Sequence, residues 1–122
     1  MNSRGYTLIE LLVVMAILGI LAAMTMPLAE VTVQRERERE LKHALWEIRD
    51  AIDAYKQARE IGAIPAASGT SLYPTDLPSL TRLYVLAKGP NTGSSIRFLR
   101  QIPRDPFAPA NLTADKSWGL RS

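Results

Sequence analysis

From Leu11 to Ala29 the chain runs 19 residues without a charge, most of them Leu, Val, Ile, Ala or Met. As a helix that stretch spans roughly 28 Å, close to the hydrocarbon thickness of a bilayer. It is apolar on every face, and an all-round coat predicts burial in lipid or in a protein core rather than a surface helix. So short a chain has no other segment able to enclose it, which favours lipid. Pro27 lacks an amide N–H and crowds the preceding turn, so a kink or local melting is expected between Gly19 and Pro27.

The pattern changes after Ala29. Arg35-Glu36-Arg37-Glu38-Arg39-Glu40 alternates in sign, so i,i+3 neighbours are opposite and i,i+4 neighbours alike. Such a run serves either as a solvated face or as a charge ladder aligning neighbouring chains. Leu41, Leu45, Ile48, Ile52 and Tyr55 then recur at helical spacing, extended by Ala44, Ala51 and Ala58, and predict one apolar seam. His43 and Trp46 lie beside it, and a lone histidine there is structural rather than a ligand. The seam is expected to pack on the C-terminal part more than to pair in a coiled coil, since four turns are few. Gly62 suits the position just past the helix end.

Residues 62–75 read as a loop. Asp76 is placed to cap a short helix carrying Leu77, Leu80, Leu83, Tyr84 and Leu86 and ending at Gly89-Pro90. A turn follows at Asn91–Ser95, then a short extended piece from Ile96 to Ile102. Asn111-Leu112-Thr113 matches a glycosylation sequon, a short motif of little weight.

Composition narrows the function classes. The net charge of +3 is too mild to imply a nucleic-acid partner. The seven basic residues after Gly62 lack the interleaved aromatics of a base-stacking surface. With no cysteine, disulfides, thiolate metal sites and cysteine nucleophiles are excluded, and one histidine leaves little for a His-rich metal centre or a Ser-His-Asp triad. No paired carboxylates or phosphate-cradling glycines appear, so no catalytic residue, metal or cofactor is assigned.

The apolar run does not begin like an ordinary secretory signal, because Glu10 falls inside it. A carboxylate on a membrane helix is costly near the centre and cheaper at an edge. Either Glu10 marks the interface, or it pairs with a positive group on another chain. Arg4-Gly5-Tyr6-Thr7-Leu8-Ile9-Glu10-Leu11 resembles the leader junction of type IV pilins and type II secretion pseudopilins. The resemblance implies that a prepilin peptidase cuts after Gly5 and methylates the new N-terminus, Tyr6, where relatives more often have Phe. It places the family's acid at Glu10 and its helix proline at Pro27, and implies that Glu10 receives the α-amine of its own or a neighbouring subunit. That amine is largely cationic at neutral pH.

The implied architecture is α+β, a pilin-like ladle. It comprises a leader (1–5), a transmembrane and assembly helix (6–29), the amphipathic half of the same helix (30–61), and a small head (62–122) with a short helix and minimal sheet. Tyr73-Pro74-Thr75 and Phe98-Leu99-Arg100-Gln101-Ile102-Pro103-Arg104-Asp105-Pro106-Phe107 are similar to the major pseudopilin of type II secretion. Those relatives continue into a calcium loop. Here either the product is truncated or the site is lacking, and Asp105 and Asp115 offer too few oxygens for Ca²⁺.

The implied function is a structural subunit of a type II secretion pseudopilus, supporting protein export. The alternative is a type IV pilin for adhesion, motility or DNA uptake, and a third reading is a secreted protein cleaved after Ala23 or Ala29. The implied partners are other subunits in a homopolymer, the prepilin peptidase, the inner-membrane secretion platform and the lipid bilayer. The implied location is the inner membrane, single-pass, with the head periplasmic and the chain assembled into a periplasmic filament. The positive-inside rule points the other way, because Arg35, Arg37, Arg39 and Lys42 outnumber Arg4 and the initiator amine. The family topology is preferred, since the peptidase meets the leader on the cytoplasmic face.

Overall fold

A computed structural model describes the backbone of residues 3–66 and 69–121, and side chains from residue 7 onward. The elements are helix α1 (Ser3–Glu60), a 3-10 turn (Pro78–Thr81), strands β1 (Tyr84–Val85) and β2 (Ser95–Ile96), and a second 3-10 turn (Ala114–Lys116). This is one long N-terminal helix plus a small C-terminal part with a two-stranded antiparallel sheet, an α+β composition consistent with a pilin-like fold. The chain divides into two units, Met1–Arg37 and Glu38–Ser122.

In the first unit, the helical residues from Leu8 to Val33 carry their large apolar side chains in the open. Pro27 lies inside α1 without ending it, so the expected local melting is not observed. A proline deletes one N–H, and the bonds of the turns on either side survive it.

The second unit builds its core on the last turns of α1. Ala44, Ile48, Ala51 and Tyr55 are buried there, and Ile64, Leu77, Leu80 and Leu99 join the last three in one cluster. Tyr55, Tyr84 and Phe98 meet edge-on or tilted, with ring centroids 5.5–5.8 Å apart. Such geometry sets the positive rim of one ring against the negative face of another. The seam is rotated from the sequence expectation, because Leu45 is 48% exposed while Ala44 and Ala51 are buried. The alanines line the contact because their small side chains let the covering loops approach the backbone.

The helix stops as Gly62 predicts. Gly62 has φ +73°, its N–H donates to Arg59 O (3.2 Å), and the Ala63 N–H donates to Ala58 O (2.9 Å). That pair of bonds is the Schellman arrangement, which satisfies the orphan carbonyls of the last turn. The Arg59 guanidinium then ties down the following loop, donating to the Tyr55 hydroxyl, Thr70 Oγ1 and Ser71 O at 2.9–3.1 Å.

The helical element of the head is shorter than its pattern suggests. Asp76 does cap it, with Oδ1 accepting the Ser79 N–H at 2.9 Å, but the turn ends at Thr81 and Arg82 is extended. Tyr84 is then drawn inward against Tyr55, its hydroxyl donating to Ser79 O at 2.7 Å. It enters β1, where Tyr84 faces Ile96 and Val85 faces Ser95. The extended piece expected over 96–102 is reduced to β2 for the same reason: regular pairing lasts two residues before Phe98 and Leu99 turn into the core.

Candidate functional site

The residues singled out for processing and assembly lie on the first part of α1. Gly5 and Tyr6 fall within the helix; the Tyr6 side chain lies outside the described residues, as do Met1 and Asn2 of the leader. Glu10 is exposed, flanked on its helix face by Ile9, Val13 and Val14. An ionised carboxylate in that apolar setting needs water, a headgroup or a positive partner, since isolated burial of charge is strongly unfavourable. Around Pro27, Thr25 Oγ1 donates to Ala22 O (2.7 Å) and Thr32 Oγ1 donates to Leu28 O (2.9 Å). Both hydroxyls are thereby satisfied within the helix, Thr25 inside the apolar run and Thr32 just beyond it.

Among the described residues, one helix is long and apolar enough to cross a membrane, and none of that apolar window is buried within the protein. A soluble protein rarely exposes so large a contiguous apolar surface, and such surfaces mark lipid or partner contacts. The opening segment, residues 1–26, matches the family described as the prokaryotic N-terminal methylation motif. The chain carries a prepilin-type N-terminus. That motif is the signature of type IV pilins and pseudopilins alike, and over the first 26 residues it supports a type IV pilin-like reading. It implies processing by a prepilin peptidase and assembly with other pilin subunits, in a family that is structural rather than enzymatic. No curated protein and no solved structure matches the chain significantly. The match ends at Met26, so the head is read from its own geometry.

In the head of this pilin-like chain, Tyr73-Pro74-Thr75 lies beside Ile52 and Leu77, and Leu120 and Arg121 line the same groove of about 290 Å³. Lys56 Nζ sits 5.3 Å from the Tyr73 ring centroid and 3.5 Å from Glu60. The Tyr73 hydroxyl, and secondarily Glu60, hold the Lys56 ammonium above its ordinary pKa. A second groove of about 420 Å³ runs between the Ala54–Ile61 turns of α1 and the β1–β2 hairpin, with Lys88 and Arg97 at its rim.

Residues 103–118 form a closed loop. The Arg104 guanidinium donates to Leu112 O at 2.9 Å and also to Pro109 O. Trp118 Nε1 donates to Pro103 O at 2.7 Å, and the Asp105 N–H donates to Ser117 Oγ at 3.2 Å. Asp105 Oδ1 accepts the Phe107 N–H at 2.9 Å. Residues 103–118 are thus held by their own side chains, with Arg104 serving two carbonyls. Nothing in the periodicity marks Arg104 or Arg59 for these roles, because both reach carbonyls of irregular loops. Among the described residues no group of three or more His, Cys, Asp or Glu side chains converges.

Proposed function

We propose that this chain is a pseudopilin, a structural subunit of a type II secretion pseudopilus that supports protein export across the outer membrane. The observation that carries the reading is the coincidence, within one segment, of the methylation motif with a fully exposed apolar helix bearing a single carboxylate, Glu10. Residues 1–5 are the leader removed after Gly5, and Tyr6 is the methylated N-terminus. Residues 6–29 anchor the chain in the inner membrane and later pack in the filament. Residues 30–61 carry the helix into a periplasmic head over 62–122.

The chemistry follows from dielectric. An α-ammonium at Tyr6 and the Glu10 carboxylate each resist burial alone, and pairing them offsets that penalty. The pair sets axial register between subunits more than it adds stability, and Pro27 supplies a point where the helix adapts to its neighbours. The Tyr73-Pro74-Thr75 and Ile102–Phe107 segments favour a pseudopilin over a motility or adhesion pilin.

The test is N-terminal sequencing of the protein from its host, with mass spectrometry of the first peptide. A start at methylated Tyr6 supports the reading, and a start after Ala23 or Ala29 overturns it. Glu10→Gln should insert in the membrane and be processed, yet assemble poorly. Normal filaments from that variant would remove Glu10 from the mechanism. Long surface fibres at native expression, with export unimpaired by deletion, would indicate a type IV pilus instead.

A further inference from the structure

The Asn111-Leu112-Thr113 sequon has no part in the assembly chemistry, and its place in the fold sets it apart from a chance match. Pro109, Ala110, Asn111 and Leu112 form a tight turn, closed by the Leu112 N–H donating to Pro109 O at 3.2 Å. Arg104 holds both ends of that turn, donating to Leu112 O at 2.9 Å and to Pro109 O. The base is thereby pinned while the tip stands out. Ala110, Asn111 and Thr113 are exposed, and Leu112 is half-buried.

An asparagine in a turn ordinarily serves the backbone, by a side-chain hydrogen bond to a nearby peptide group or by accepting the left-handed conformation. Neither applies here. Among the described residues the Asn111 amide makes no hydrogen bond, and no residue other than glycine has a positive φ. The polar side chains around it are engaged in holding the loop: Arg104 on the two carbonyls, Asp105 on the Phe107 N–H, Ser117 on Ala114 O. The turn is thus built without the Asn111 side chain, whose amide is left to solvent. Two residues on, Thr113 is extended (φ −72°, ψ 159°), and its hydroxyl donates to the Asp115 carboxylate. The residue between them is leucine, not the proline that would bar the motif.

We propose that Asn111 is an acceptor for N-linked glycosylation, its co-substrate a sugar activated at the anomeric carbon by a diphosphate. In the transfer Asn111 Nδ2 bonds to that carbon as the carbon–oxygen bond to the diphosphate breaks. The amide gives up one proton, and the diphosphate leaves with the electron pair of the broken bond, so the step is redox-neutral. Thr113 is a positioning residue, its hydroxyl passing from the Asp115 carboxylate to the transferase. A glycan is bulky and solvated, and it needs a surface site clear of the core. Among the described residues none after Leu99 is buried, so Asn111 takes a glycan without unfolding. The inference rests on the proposed function for one point, that the head lies outside the cytoplasm, where polyprenyl diphosphates present their sugars.

The test is mass spectrometry of the full-length chain purified from its host, with N-terminal sequencing of the same sample. The tryptic peptide Asp105–Lys116 should carry a glycan mass that a peptide-N-glycosidase removes, leaving aspartate in place of the asparagine. Asn111→Gln and Thr113→Ala should lose the increment, and Thr113→Ser, which keeps the hydroxyl, should retain it. Near-UV circular dichroism of the head should be the same in all three variants as in the wild type. An oligosaccharide transferred whole identifies a polyprenyl carrier and a single hexose a nucleotide sugar, and either supports the site. An unmodified peptide from a chain that starts at methylated Tyr6 overturns the inference and leaves the pseudopilin reading standing. Modification that persists in Thr113→Ala overturns it as well, since adventitious glycation ignores the hydroxyl. A glycosylated chain that starts after Ala23 or Ala29 supports the site while overturning the pseudopilin reading.

Discussion

Leu80 has no solvent exposure and sits under Ile48, Ala51, Tyr55, Ile64, Leu77 and Leu99, so truncating it tests the head core directly. Leu80→Ala removes three carbons from that site. At about 0.8 kcal/mol for each buried methylene, the transfer contribution alone is about 2.4 kcal/mol. A cavity remains to the extent that the surroundings cannot collapse, and buried Leu→Ala changes span about 2.7–5 kcal/mol. Collapse is restricted here, because the Leu99 N–H donates to Leu80 O (3.0 Å) and the Tyr84 hydroxyl to Ser79 O (2.7 Å). The expected loss is therefore about 3.5–4.5 kcal/mol, a large part of the stability of any small domain. Urea unfolding of the full chain in mild detergent, followed by near-UV circular dichroism of the Tyr55–Tyr84–Phe98 cluster, reads it. Leu45→Ala is the control at an exposed helical site and should shift stability by about 0.5 kcal/mol or less. A Leu80→Ala loss below about 1 kcal/mol, or equal losses for both variants, would refute this account of the core.

Two further outcomes follow from the backbone and from titration. Gly62→Ala forces a side chain into φ +73°, while its Cβ would meet only ordinary contacts from Lys88, the nearest at 3.5 Å; thermal melts should show a loss of about 1 kcal/mol from backbone strain alone. Burial, and secondarily Tyr55, raises the Tyr84 phenol above its ordinary value, as Tyr73 and Glu60 raise Lys56. A group whose pKa is raised by folding stabilises fully below its unfolded pKa and loses that contribution as pH climbs through the folded one. The head should therefore keep that contribution at neutral pH and lose it above about pH 10. Tyr84→Phe should cost about 1 kcal/mol at neutral pH through the lost bond to Ser79 O and flatten the alkaline loss. Circular dichroism across an alkaline titration checks this, and identical alkaline slopes in the two proteins would contradict it.

What the sequence discloses divides along the line between local and non-local physics. The membrane-length helix, the Asp76 cap and the Gly62 stop depend on neighbours within a few positions, and each is legible from spacing alone. The phase of the seam is less so. Leu45 and Ala44 fit an apolar stripe equally well, and only the loops that arrive from residues 62–99 decide that the alanine side is covered. The two-residue strands escape the pattern because their pairing is set by Tyr84 and Phe98 entering a shared aromatic cluster, not by alternation along either strand. Arg104 and Arg59 are invisible for a different reason, since arginines that serve carbonyls of irregular loops leave no periodic trace.

The distribution of apolar side chains bears on why a single acid should matter so much. The head needs no apolar side chain before Ala44 for its buried core. Everything apolar from Leu8 to Val33 is exposed, so it must be covered by lipid or by other chains. These two environments are nearly equivalent for Leu, Ile and Val, because lipid tails are as apolar as the side chains themselves and exert no hydrophobic drive toward helix association. Passage of such a helix from membrane to filament is therefore close to neutral in its apolar contacts. The balance falls to whatever differs between the two settings: a carboxylate that is penalised in hydrocarbon and relieved beside an ammonium. On the proposed reading Glu10 is the one charged group between Leu8 and Ala29, placed there to make the distinction. Removing its charge should then act on the choice between membrane and filament while leaving the head untouched. Unchanged unfolding of the head in Glu10→Gln, alongside impaired assembly, is the pattern that separates this role from a general loss of fold.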